Sequence, residues 1–118
     1  MSALPPPSTH RRELARRARD AFPAMGVYAI RNHATNSVCV KASRNVPAAI
    51  NRLTYELRHG GQRDHDLQSA WNAHGAAGVT LDVLELVRER DDPAFDYGAE
   101  LALLETLYRA ELSQGATP

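Results

Sequence analysis

Glu105 stands out among the groups in this 118-residue chain that could do chemistry. On a helical reading it lies about 40° from Leu101 and within the arc of Leu104, Tyr108 and Leu112, so its carboxylate is expected half out of water, where it needs a cation. That cation is either Arg109, four residues on and in the favourable glutamate-first order, or a metal or polar pocket. Tyr28, in a strand-like run, is either a phenol that moves or holds a proton, or a sheet tyrosine packed over a core with its hydroxyl at the rim. Cys39 is the sole cysteine, which excludes an internal disulfide framework and a zinc ribbon; it is expected to behave as a small strand residue. His10, His33 and His59 lack ligand spacing and are expected in solvent, while His74 suits the negative end of a helix.

Cations are unevenly placed. Residues 1 to 63 carry eleven basic and three acidic side chains, and residues 64 to 118 carry three basic and eleven acidic. A net charge of zero therefore conceals halves of +8 and −8. Five arginines, Arg11, Arg12, Arg16, Arg17 and Arg19, fall within nine residues, and Lys41, Arg44, Arg52, Arg58 and Arg63 follow. Such a half fits a DNA or RNA surface, with phosphate as the shared target. The opposed halves could instead attract each other within the fold or between molecules.

These groups need elements to hold them. Residues 1–10 contain Pro5-Pro6-Pro7 and read as a disordered leader. Residues 11–23 read as a basic helix stopped by Pro23, residues 24–112 as one domain, and residues 113–118 as a fraying tail. Within the domain, Val27 to Arg31 and Ser37 to Ala42 should pair as an antiparallel hairpin around Asn32-His33-Ala34-Thr35-Asn36. A helix begins near Pro47, with Val46, Ile50, Leu53 and Leu57 inward, and ends at Gly60-Gly61. A second runs from Asp64 or His65 to His74, with Leu67, Trp71 and His74 inward. Val79 to Val87 reads as a central, well-buried third strand, and Ala99 to Leu112 as a last helix. The expected class is α+β: a small three-stranded antiparallel sheet flanked by helices, with an extra N-terminal helix. No signal peptide or membrane span is legible, which points to the cytoplasm.

Gly26-Val27-Tyr28, followed by Val38 to Lys41, by the helix Asn45 to Leu57, and by His65-Asp66-Leu67-Gln68-Ser69-Ala70-Trp71-Asn72-Ala73-His74-Gly75, resembles the GIY-YIG nuclease superfamily in its homing-endonuclease-like branch. The likeness spans about Gly26 to Glu111. It implies a metal-dependent phosphodiesterase site, with magnesium or manganese held by a glutamate on the last helix, two tyrosines to position or deprotonate water, and an arginine to stabilise the phosphorane. It also implies that the helices bearing Ala49 and Glu105 converge on the sheet near Tyr28 and Cys39.

Residue by residue, Tyr28 matches the first motif tyrosine and Glu105 the metal carboxylate. Cys39 stands at the second tyrosine, Lys41 at the glycine after it, Ala49 at the arginine, Leu53 at a nearby histidine or tyrosine and Gln62 at a later histidine. Arg52, about 60° round the helix from Ala49, could reach into the arginine's volume, and Lys41 and His65 are similar migrants. Three readings follow: a catalytically impaired domain that binds nucleic acid through its basic half, an active metal-dependent endonuclease, or a protein-interaction adaptor, including a homodimer, on the old fold.

Overall fold

The computed structural model describes residues 11–13 and 22–115. Arg11, Arg12 and Glu13 are helical, and the remaining part of the basic segment, with Arg16, Arg17 and Arg19, lies outside the described residues. The domain runs β1 (Gly26–Asn32), β2 (Ser37–Ser43), α1 (Val46–Arg58), α2 (His65–His74), one 3-10 turn (Gly75–Ala77), β3 (Val79–Leu86) and α3 (Tyr97–Gly115). The strands form one antiparallel sheet in the order β2-β1-β3. It is the α+β arrangement that the pattern of strands and helices implies.

Local chemistry explains the boundaries. The hairpin turn is closed by Asn32, whose Oδ1 accepts the N–H groups of Ala34 and Thr35, and by Asn36 in the left-handed conformation. Asn45 caps α1 by accepting the Ala48 N–H, Asp64 caps α2 by accepting those of Asp66 and Leu67, and Asp96 accepts that of Ala99 at the start of α3. Each cap satisfies donors that a helix leaves unpaired.

Side chains on β1 alternate between two cores. Tyr28 and Ile30 pack with Val46, Leu53 and Leu57 of α1 and with Leu67 and Ala70 of α2. Val27, with Met25, Val40 and Val87, packs instead against Leu101 and Leu104 of α3. A strand's period of two thus places α1 and α2 on one face and α3 on the other.

Three expectations need correction. The central strand is β1 rather than β3, which is an edge strand with Val83 and Leu86 about half exposed, at 51% and 47%. An apolar run alone does not reveal which strand has neighbours on both sides. His74 is exposed rather than inward, and the chain passes close behind it at Gly78, where a Cβ would stand 2.5 Å from the Ala70 carbonyl oxygen and 2.9 Å from the His74 Cβ. Cys39 is exposed rather than packed, since β2 is an edge strand and the helix on this face does not close over it.

Candidate functional site

The helix-covered face of the hairpin does not close fully onto α1. A groove of about 580 Å³ remains between them. Tyr28, Cys39, Lys41 and Ser43 form its strand wall, and Ala48, Ala49, Arg52 and Leu53 form its helix wall. Gln62 and Asp64 lie at the end where α1 passes into α2. Pairing explains the strand wall, because Tyr28 sits opposite Lys41 and Ile30 opposite Cys39, so all four share one face.

The groove gathers most of the positions singled out in the sequence. Tyr28, Cys39, Lys41, Ala49, Arg52 and Gln62 all line it. Ser43, Asn45, Glu56 and Asp64 line it too and carry no sequence signal of their own beyond the capping roles of Asn45 and Asp64. His65 is exposed at the start of α2 and is not part of the lining. Arg44 is also elsewhere: a Cβ on Gly98 would be 3.2 Å from its guanidinium and 3.3 Å from the Asp96 carboxylate, which puts Arg44 at the N-terminus of α3.

Charge in the groove is open to a ligand. Among the described residues, Lys41, Arg52, Arg58 and Arg63 make no ion pair, whereas Arg31 is held by Asp82 at 3.0 Å and Arg109 by Glu105. Asp64 is occupied in capping α2. Lys41 on the strand wall and Arg52 on the helix wall are therefore free to bind an anion, in a groove that the Glu56 carboxylate also lines.

Tyr28 is 7% exposed, and its phenol is pushed above its ordinary value near 10, chiefly by burial and then by the Cys39 and Glu105 charges. It stays protonated at neutral pH. In this arrangement it can donate a hydrogen bond to an anion, and it is poorly suited to take a proton from water.

Glu105 is not in the groove. It lies on α3, on the far face of the sheet, and reaches the open edge of β2, where its Oε2 accepts the Ala42 N–H at 3.1 Å. Its Oε1 is paired with Arg109, which also donates to the Val40 carbonyl at 3.2 Å. The two side chains thus cap one N–H and one C=O that an edge strand would leave bare. The helices bearing Ala49 and Glu105 approach the hairpin from opposite faces, so they converge only at its β2 edge.

This arrangement does not fit a divalent metal. Both carboxylate oxygens of Glu105 have partners, one of them a cation in the place a metal would take. Among the described residues, no group of three His, Cys, Asp or Glu side chains could hold an ion. Of the two partners the sequence left open for Glu105, the structure shows Arg109.

The short block Leu67-Gln68…Trp71-Asn72 has a structural role. Gln68 Nε2 donates to the Leu57 carbonyl at 2.9 Å and to Asn72 Oδ1 at 3.0 Å, while its Oε1 accepts the Gln62 N–H at 3.1 Å. It ties the end of α1 and the following loop to α2, and so fixes the end wall of the groove.

No family model and no curated protein matches this sequence. Solved structures do share its architecture. The catalytic domain of intron endonuclease I-TevI, in a glutamate-to-alanine mutant, matches with a TM-score of 0.55 and 21% identity over 75% of this chain and 84% of that one. The catalytic domain of homing endonuclease I-TevI matches with a TM-score of 0.55 and 24% identity over 75% and 88%. At that level of identity the likeness establishes the fold alone, the α+β arrangement shared with those catalytic domains.

Proposed function

We propose that this chain is a nuclease-fold domain that holds nucleic acid through its basic half and is impaired in cutting it. The observation that carries the reading is the groove between β2 and α1, where unpaired Lys41 and Arg52 flank the protonated Tyr28. Phosphate esters have the charge and the acceptors that these three groups want. Impairment rests on Cys39 and Ala49, which bring a thiol and a methyl group to a wall where a phosphoryl-transfer site would place a phenol and a guanidinium.

Active, magnesium- or manganese-dependent hydrolysis is the weaker reading, because it requires Glu105 to leave both its partners. The adaptor or homodimer reading draws on Leu103 and Leu107, one turn apart on α3 and 53% and 54% exposed. No described helix is long and apolar enough to cross a membrane, and a cytoplasmic location suits a protein with one unbridged thiol.

The test is a salt series of fluorescence anisotropy with labelled duplex and single strands of DNA and RNA, run beside cleavage assays with magnesium and manganese. Binding should weaken as salt rises, and replacing Lys41 and Arg52 by glutamine should reduce the slope by roughly one contact each. Cleavage should be absent or feeble. Strong metal-dependent cutting lost in Glu105→Ala would overturn the impairment, and no binding at low salt would overturn the nucleic-acid reading.

A further inference from the structure

Tyr55 is the most exposed large hydrophobic residue among those described, at 64%. It lies on the solvent side of α1, one turn from Arg52, which lines the groove, and one turn from Arg58. Its ring is not splayed at random: it stacks on His59 with centroids 4.0 Å apart and planes 26° from parallel. His59 is itself fixed, since its Nδ1 is 2.8 Å from the Tyr55 carbonyl and its backbone N–H closes the end of the helix. The phenol hydroxyl has no partner among the described residues. A large flat ring is thus held in place in water, by its own helix, with a free arginine on the turn before and another on the turn after.

One exposed aromatic is ordinary on a protein surface, but a ring held in a fixed orientation beside free cations is placed to receive a ligand. The surrounding charge says which occupant fits. Arg52, Arg58 and Lys41 are unpaired cations, which repel a basic partner and give an apolar peptide no benefit, but which match a phosphate backbone. A rise of about 4.5 Å along the helix separates the Arg52 and Tyr55 positions, so a phosphate at Arg52 leaves the attached base within reach of the ring. In a duplex both faces of each base are covered by its neighbours, and only an unstacked base offers a face to an aromatic side chain.

We propose that Tyr55, braced by His59, is a base-stacking platform for an unpaired nucleic-acid strand whose phosphates run into the groove past Arg52 and Lys41. The proposal rests on the nucleic-acid reading above and names the form of strand bound. Stacking uses the face of the base, so it serves DNA and RNA alike. The platform adds no charge and acts on affinity without changing the number of phosphate contacts.

The experiment compares full-length wild type, Tyr55→Ala and Tyr55→Phe by anisotropy against labelled oligothymidylate, oligouridylate, an abasic strand of equal length and a hairpin duplex. Tyr55→Ala should weaken binding of both base-bearing strands about 5- to 150-fold, the range expected for one lost stack. Tyr55→Phe should retain their affinity, the abasic strand and the duplex should bind all three proteins alike, and the salt slope should not move. Thermal melts of the variants report whether the helix end has merely loosened. Salt-dependent binding that needs Lys41 and Arg52 but ignores Tyr55, or an equal loss on the abasic strand, overturns the platform and leaves the phosphate groove standing. Absence of any binding overturns both.

Discussion

Tyr28 shows how one side chain's surroundings decide which chemistry it can do. Its ring belongs to the core with Ile30, Val46 and Leu53, and that burial is the main reason its phenol is pushed above 10. Tyr108, on α3, is pushed up as well, first because its hydroxyl donates to Glu85 at 2.8 Å. A raised folded-state value means that the native chain holds these protons more tightly than the unfolded chain does. Stability from this source is fully present below pH 10, about the unfolded tyrosine value, and is lost as pH rises through the folded value. Wild-type urea midpoints should therefore fall as pH is taken above about 10, and Tyr28→Phe should fall less steeply. An equal slope in the two proteins would show that Tyr28 is not a source of the loss. The type and spacing of Tyr28, Glu105 and Arg109 were legible in the sequence, and the ion pair was one of the two partners that spacing left open for Glu105. What spacing could not reveal is that Glu105 reaches round the β2 edge from the other face, since that depends on which side of the sheet α3 packs.

At the scale of elements, the short motifs do structural work that their chemistry does not advertise. Gly26 opens β1 where β3 carries a bulge, with Val27 opposite Glu85 but Tyr28 opposite Val83, leaving Leu84 as the extra residue. A Cβ at Gly26 would stand 2.0 Å from the Glu85 carbonyl oxygen and 2.9 Å from the Leu86 Cα. Backbone would have to move, so even alanine at this position should disrupt the start of the sheet. Gln68 is the milder probe of the same principle. Three hydrogen bonds join it to Leu57, Asn72 and Gln62, and Gln68→Ala leaves the half-buried Leu57 carbonyl and the Gln62 N–H to find water. The expected cost is about 1 to 3 kcal/mol. It should be read as a lowered urea midpoint with weakened groove binding, because the loop that forms the end wall is released. A variant as stable as wild type would show that the loop is held by other contacts. Helices and strands were readable from caps, turns and periodicity because those signals are local. The edge position of β3 was not, because Val83 and Leu86 look the same in sequence whether a neighbour covers them or not.

Over the whole molecule, the question is why a chain of net charge zero keeps +8 and −8 in separate halves. If the halves served to hold the fold together, ion pairs would join them. Among the described residues, Arg31 with Asp82 is the pair that does so, with both side chains well exposed at 37% and 52%, and a pair of that kind contributes at most about 1 kcal/mol. The second pair, Glu105 with Arg109, lies within the acidic half. Among the described residues, Arg52, Arg58, Arg63 and Lys41 form no ion pair, although Glu56 and Asp64 line the groove with Lys41 and Arg52, while Glu89, Asp91 and Asp92 are exposed on the connection from β3 to α3. Among the described residues, then, the separation contributes little to holding the fold. Two external partners are consistent with it, a polyanion on the basic half or a second copy arranged head to tail, and salt acts on both. Truncation separates them. Phe22 packs on the α3 core and its ring lies 5.3 Å from that of Tyr97, so the cut should remove residues 1–21 and keep Phe22. Loss of Arg11, Arg12, Arg16, Arg17 and Arg19 should lower the slope of log affinity against log salt by about 0.9 per lost contact on duplex DNA and about 0.7 on single strands, while the groove's own contribution persists. Sedimentation at low salt should show a monomer with or without the segment. If full-length protein sediments as a salt-sensitive dimer and the truncated chain as a monomer, with nucleic-acid affinity unchanged, the basic segment is paired with the acidic half of a neighbour and the polyanion reading of the arm is wrong.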